Sequence, residues 1–211
     1  MEKSFKIAIL GGTGKVGRYI AKKALERGFQ VRMLVRNPDK LEGSDSRIEI
    51  IKGDAQNIDT IRFLLKDCNI VINTLGQPVK DLPLYSSVTN NVLLIMNDFG
   101  IRRYIGVTGA SLNIRGDNKK LLNKIGAKIF EILFPKMMND KKKELNILIN
   151  SDIEWTLVRL PFVIEGSGTG HIKEHLTDMA GTSITNTDIA KFIINEVSNK
   201  KYVRKTPFIS N

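Results

Sequence analysis

Four consecutive apolar residues, Ile7-Ala8-Ile9-Leu10, run without a spacer into Gly11-Gly12-Thr13-Gly14-Lys15-Val16-Gly17, after which Val16, Ile20, Ala21, Ala24 and Leu25 recur at helical spacing. The order is a short buried strand, a tight turn and a helix. Gly12, Gly14 and Gly17 spell G-x-G-x-x-G, and Gly11, Gly14 and Gly17 spell the related G-x-x-G-x-x-G. Glycines so spaced let the chain turn sharply, bring backbone N–H groups up to a diphosphate and let the helix pack closely on the strand. The positive end of the helix then stabilises the anion. Glycines also cluster in ordinary turns, so it is the strand before and the helix after that carry the inference to dinucleotide binding. A P-loop is excluded, because Val16 follows Lys15 where a metal would need Ser or Thr.

The chain of 211 residues is long enough for one sizeable core and contains nothing composed like an interdomain linker, so one domain over residues 1–211 is expected. Met1, Glu2 and Lys3 lead directly into the first strand, with no apolar leader and no run long enough to span a bilayer. A cytoplasmic protein without a membrane partner is the expectation. Cys68 is the one cysteine; it can form no intramolecular disulfide, and nothing beside it marks an activated thiolate. The net charge of +11 would suit an acidic partner. The basic groups are scattered, however (Lys119-Lys120, Lys141-Lys142-Lys143, Lys200-Lys201, Arg204-Lys205), and no nucleic-acid module or aromatic-interleaved stripe accompanies them. A solvated surface that attracts phosphate-bearing cofactors is therefore preferred to a nucleic-acid surface.

Gly28 ends the first helix, and Phe29 to Val35 alternates as a second strand. Dinucleotide folds commonly place Asp or Glu near the end of that strand to hold the ribose hydroxyls. Here Arg36, before Asn37-Pro38, stands instead, which favours a 2′-phosphate and NADP over NAD. Ile48 to Lys52 reads as a third strand. Asp54 after it can meet an adenine amino group, while Asn57 caps a helix from Ile58 to Leu65. Ile70 to Thr74 forms a fourth strand closed by Leu75-Gly76, and a helix from Leu84 to Phe99 stops at Gly100. Tyr104 to Thr108 is the fifth strand. Repeated strand–helix alternation implies parallel crossovers with ligands at the strands' carboxyl ends, where all the residues singled out so far fall.

From Asn113 to Asn150 the sequence turns helical and basic, and Leu121, Leu122, Ile125, Ile129, Ile132 and Leu133 form an apolar stripe interrupted by Pro135. A stripe of this kind can cover a substrate cleft or meet a partner, but packing in the core is the expectation adopted. A second helix over Met137 to Asn150 points Leu145 and Leu148 inward. The sixth strand runs from Trp155 to Val158, and Arg159-Leu160-Pro161-Phe162 follows on the same rim. Gly166, Gly168 and Gly170 mark a loop able to act as a lid. His171 and His175 could share a helical face, but no third ligand accompanies them and no metal site is inferred. Thr187 and Asp188 begin a last helix over Ile189 to Val197, and Phe208-Ile209 adds a final strand.

Assembled, the chain resembles an atypical short-chain dehydrogenase/reductase of the NmrA-like NAD(P)H-binding group, most nearly its flavin reductase and biliverdin-IXβ reductase type. The matching pieces, over nearly the whole length, are GGTGKVG, LVRNP, GDAQN, VINTLG, RYIGVTGAS, SDIEWTLVRLPFV and ITNTDIAKFI, in that order. The resemblance implies an α/β fold, a Rossmann-like doubly wound parallel sheet with helices on both faces and a small C-terminal substrate-side extension. It also implies that Gly11, Thr13, Gly14, Lys15, Val16 and Gly17 hold the pyrophosphate, Arg36 the 2′-phosphate, and Asp54 with Ala55 the adenine. Thr74, Leu75 and Gly76 would line the ribose side, and Thr108, Pro161 and Phe162 the nicotinamide.

The departures narrow the chemistry. Superfamily members that reduce carbonyls use Tyr-x-x-x-Lys after the fifth strand; here that spacing occurs only at Tyr19 to Lys23, inside the first helix, and no tyrosine lies between Tyr104 and Tyr202. Gly109 falls near the usual serine, leaving Thr108 or Ser111 as the candidate catalytic hydroxyls. A carbonyl acceptor needs a proton donor beside the developing alkoxide. A flavin or quinone can take its proton from water, so an NADPH-dependent reductase of FMN, FAD or a similar planar acceptor is expected. An NADP(H)-sensing regulator without catalysis is the alternative, and an epimerase or dehydratase a weaker third.

Overall fold

Strands apolar on both faces require cover on both, and β1 (Lys6–Leu10) and β4 (Ile70–Asn73), whose residues Ile7 to Leu10 and Ile70 to Asn73 are all buried, occupy the middle of such a sheet. The computed structural model describes residues 5–38, 45–76 and 84–211; the charged start Met1-Glu2-Lys3 lies outside them. The remaining elements are α1 (Gly17–Glu26), β2 (Gln30–Val35), β3 (Ile48–Lys52), α2 (Ile58–Leu65), α3 (Tyr85–Asp98), β5 (Arg103–Gly109), α4 (Leu121–Leu133), α5 (Pro135–Ile149), β6 (Glu154–Leu160), β7 (Phe162–Ile164), β8 (Lys173–His175), β9 (Ser183–Thr185), α6 (Asn186–Asn199) and β10 (Phe208–Ser210). The main sheet has the order β3-β2-β1-β4-β5-β6-β10-β8, parallel except for β8 against β10. Progression reverses between β1 and β4, the switch point at which open α/β sheets bind ligands.

Two cores sandwich the sheet. On one face α1 and α6 bury Ile20, Ala24, Ile189 and Ile193 against β1, β2 and β4. On the other, α2, α3 and α5 bury Leu64, Val92, Met96 and Leu148. The doubly wound fold expected from the strand–helix alternation is the observed one. Asn57 caps α2 by accepting the Thr60 N–H, and Gly100 follows α3 with a left-handed φ of 68°.

Several boundaries differ from the sequence reading. The helical stretch expected from Asn113 begins only at Leu121, because Lys119 holds the preceding turn as a loop: its ammonium donates to Ala110 O, Leu112 O and Asn113 Oδ1 at 2.8–3.1 Å. Pro135 opens α5 rather than merely breaking a helix, since at the first turn its missing N–H leaves no bond unmade. The last helix starts at Asn186, capped by Thr185, whose hydroxyl accepts the Asp188 N–H. The sixth strand extends to Leu160, and β7 with β9 forms a separate parallel pair beyond it.

The apolar stripe of α4 corrects the expectation of core packing. Leu121, Leu122, Ile125, Ile129, Ile132 and Leu133 are all exposed, Leu122 by 81%, and only Ala127 of that helix is buried. The cause is competition for the sheet: α5 lies against α3 and fills that face with Met138, Leu145 and Leu148, so α4 packs on α5 from outside.

Candidate functional site

The glycine turn sits at the carboxyl end of β1. Gly11 adopts φ 75°, Gly14 N donates to Gly11 O at 3.0 Å, and a Cβ on Gly11 would fall 2.6 Å from the Thr74 carbonyl. Thr74 returns the contact, its hydroxyl donating to Leu10 O at 2.9 Å, so the end of β4 is pinned to the turn. Helix α1 begins with Val16 at its N-cap, without a side-chain cap and without an acidic residue in its first turn. Neither a side-chain cap nor a carboxylate therefore competes with an anion at this helix start, where Arg18 N and Tyr19 N meet the Gly14 and Val16 carbonyls and Thr13, Gly14 and Lys15 are exposed. That setting fits a diphosphate.

Arg36 follows β2, the neighbour of β1; it is exposed and makes no hydrogen bond or ion pair among the described residues. Asp54 is exposed after β3 and accepts the Gln56 N–H at 2.8 Å, while Ala55 is buried beside it. Thr74 lies just past β4, Leu75 N donates to Asn73 Oδ1, and Gly76 is exposed. The glycine turn, Arg36, Asp54 and the Thr74–Gly76 segment thus occupy the carboxyl ends of four adjacent strands.

Beyond β5 and β6 opens a cleft of about 410 Å³. Ala110 N donates to Leu160 O at 2.8 Å and joins the two strand ends at its floor, Pro161 and Phe162 form one wall, and α4 and α5 contribute Leu122, Phe130 and Met137. Ser111 lines this cleft, with its hydroxyl 3.7 Å from Met138 Sδ. Thr108 is buried within β5 instead, its hydroxyl without a hydrogen-bond partner among the described residues. The two candidate hydroxyls therefore lie in different surroundings.

Lys141 was not anticipated. It lines the cleft from α5, and a Cβ built on Gly109 would fall 3.8 Å from its ammonium and 3.4 Å from Ser111 Oγ. Burial lowers its pKa, and the neighbouring Glu144 only partly offsets this. Its ammonium also sits 4.8 Å from the centre of the Tyr85 ring. Asp140 fixes that register by accepting the Tyr85 N–H at 2.7 Å at the start of α3. The signal was present in the sequence: Met137-x-x-x-Lys141 keeps the Tyr-x-x-x-Lys spacing between the fifth and sixth strands, and a search for tyrosine passes over it.

Beneath Lys141, Glu144 accepts the Thr89 hydroxyl at 3.0 Å; Thr89 meets the Tyr104 hydroxyl, and Asn73 Nδ2 donates to the same oxygen at 3.0 Å. Burial pushes the Glu144 carboxyl up to about 7 against the pull of Thr89 and Lys141. Other charges near the cleft are structural. Arg159, expected at the rim, is fully buried; its guanidinium donates to Asp117 at 2.7 and 2.8 Å, to Leu176 O and Thr206 O, and lies 3.5 Å from the Phe208 ring centre.

The Gly166–Gly170 loop is tied to the start of α6. Asp188 accepts the N–H groups of Thr169 and Gly170, the hydroxyls of Thr169 and Thr185, and the amide of Asn211. Burial alone would raise its pKa; these donors bring it below the ordinary value. His175 lies in β8 and His171 in the preceding loop, so they share no helical face. Cys68 is buried, and burial pushes its thiol up to about 11.

Residues 11–200 match the model of a family described as NAD(P)H-binding. The chain belongs to that NAD(P)H-binding family. Its solved structural relatives have the same fold. A short-chain dehydrogenase/reductase from Veillonella parvula, in complex with NADP, superposes with a TM-score of 0.79 at 16% identity over 98% of this chain and 94% of that one. The anaerobilin reductase ChuY from Escherichia coli O157:H7 does so with a TM-score of 0.78 at 15% identity over 97% and 96%. By sequence, the family member is 26% identical over 110 residues to cinnamoyl-CoA reductase 1 of Oryza sativa, covering 47% of this chain and 32% of the rice protein. It thus spans about a third of the length of such curated relatives.

Proposed function

We propose that this NAD(P)H-binding protein is a cytoplasmic, NADPH-preferring reductase that passes hydride to a flavin such as FMN or FAD, a quinone or a similar planar acceptor. The observation that carries the reading is the cleft beyond β5 and β6. It is largely apolar, with Phe162 and Phe130 on its sides, and Met137 with Lys141 keeps, between the fifth and sixth strands, the spacing at which carbonyl-reducing members of the superfamily carry tyrosine and lysine.

In this reading Gly11, Thr13, Gly14, Lys15, Val16 and Gly17 hold the diphosphate through backbone donors, and Arg36 takes the 2′-phosphate. Asp54 and Ala55 bound the adenine, Thr74 to Gly76 the ribose, and Thr108, Pro161 and Phe162 the nicotinamide. The bound dihydronicotinamide supplies the hydride. The chain's own share is orientation and exclusion of water between Phe162 and the Gly109–Ser111 turn, with Lys141 stabilising negative charge gained by the acceptor. The proton comes from water, which removes the need for the missing acid.

A second reading, an NADP(H) sensor without turnover, is favoured by the engagement of Ser111 with Met138 and the burial of Thr108. Steady-state NADPH oxidation with FMN, with a quinone and without acceptor separates the two. Acceptor-dependent turnover is expected; tight NADPH binding with no turnover on any acceptor overturns the reductase and leaves the sensor.

A further inference from the structure

Helix α4 carries Leu121, Leu122, Ile125, Ile129, Ile132 and Leu133, between 48 and 81% exposed, and at about 100° per residue these six fall within an arc of about 120°. Lys124 and Lys128 border the arc on one side. On the other, Gly126 and Phe130 continue it into the wall of the cleft, where Phe162, itself 74% exposed, closes the far side. Exposed Lys120 and Lys136 flank the helix, and its one acidic residue, Glu131, is engaged by Lys142. An apolar arc of this extent exceeds the scattered apolar residues of an ordinary soluble surface.

Charge decides what covers it. A second copy of the chain would bring the Lys124–Lys128 edges of two strongly basic molecules together, since each carries a net charge of +11. An anionic lipid surface answers both parts of the face: aliphatic side chains enter the acyl boundary while the bordering lysines reach the headgroups. At 13 residues α4 is too short to cross, and no helix among the described residues is long and apolar enough to do so. We propose that α4 is a peripheral docking face that lies in the interface of an anionic bilayer and sets the cleft beside it. The proposal stands on this face alone and does not depend on the reductase reading.

The test is co-sedimentation with phosphatidylcholine vesicles containing about a third phosphatidylglycerol and with pure phosphatidylcholine vesicles, beside sedimentation velocity of the free protein. The expected result is a monomer that pellets with the anionic vesicles and only weakly with the neutral ones. Ile125→Gln/Ile129→Gln/Ile132→Gln, which changes exposed residues outside the cleft wall, should weaken that binding by about tenfold or more while NADPH binding is retained. Lys124→Gln/Lys128→Gln should weaken it by about tenfold and remove much of its salt sensitivity. The proposal is overturned if wild type stays in the supernatant with anionic vesicles, or if the triple variant still pellets like wild type. A dimer that the triple variant dissociates, without vesicle binding, would equally overturn it and assign the face to self-association.

Discussion

The carbonyl oxygen of Gly11 and the α-carbon of Gly17 are so close that a methyl group on Gly17 would come within 2.3 Å of that oxygen. The same methyl would lie 2.7 Å from the Gly12 α-carbon. Backbone cannot yield as a side-chain tip can, so the helix start would have to move away from the turn. Gly17→Ala is therefore expected to lower NADPH affinity by about tenfold or more and to reduce the Tm, as read by calorimetry. Gly14→Ala, whose Cβ would lie 3.1 Å from the Gly11 oxygen, should cost less of both. Equal affinities for the wild-type and Gly17→Ala proteins would remove the diphosphate from this turn.

Arg36 is exposed at the end of β2 and makes no hydrogen bond or ion pair among the described residues. Arg36→Asp should leave the Tm unchanged and weaken NADPH binding by about ten- to a hundredfold, the worth of a lost hydrogen-bonded charge pair, with little effect on NADH. Isothermal titration with both coenzymes reads the difference. An equal loss for the two would show that Arg36 does not meet the 2′-phosphate.

Glu144 gives the fold a pH signature. Its carboxyl, ordinarily near 4.5, is raised by burial to about 7, so the folded state holds a proton that the unfolded chain releases. Its contribution is fully present below pH 4.5 and is lost as the pH climbs through 7. Urea unfolding of wild type and Glu144→Gln across that range should show wild type losing of order 3 kcal/mol relative to the variant. Parallel curves would place the titration elsewhere.

Asp117 neutralises a guanidinium that has no access to water, since Arg159 is 0% exposed. Asp117→Ala should cost about 3–5 kcal/mol in denaturant unfolding, most of it the penalty of a buried cation without its counter-charge. Asp117→Ala combined with Arg159→Met should recover a large part of that loss. If it does not, the packing of Arg159 on Phe208 outweighs the charge.

The parts of this molecule that were legible in the sequence are those set by local rules. The glycine turn, the buried runs at Ile7–Leu10 and Ile70–Asn73, the Asn57 cap and the Gly100 stop each follow from a few adjacent residues, and together they dictate a parallel sheet. What escaped depends on competition between distant segments. The α4 stripe has the spacing of a core helix, and nothing within it says that α5 already occupies the sheet. In the sequence Lys119 looks like a solvated surface cation and Arg159 like a rim residue, yet chain carbonyls claim the first and Asp117 the second once the fold forms. Lys141 reads in the sequence as one of three surface lysines, Lys141-Lys142-Lys143, and only the packing of α5 sets it apart from the other two by turning it into the cleft.

The carboxylate of Asp188 joins the cap of α6, the turn at Thr169–Gly170 and the side chain of Asn211, which lies 42 positions from Thr169. Energies stored in such a shared acceptor are not separable. Alanine substitutions at Thr169, Thr185 and Asn211 should therefore be strongly non-additive, the first removing most of what the second and third could still take away.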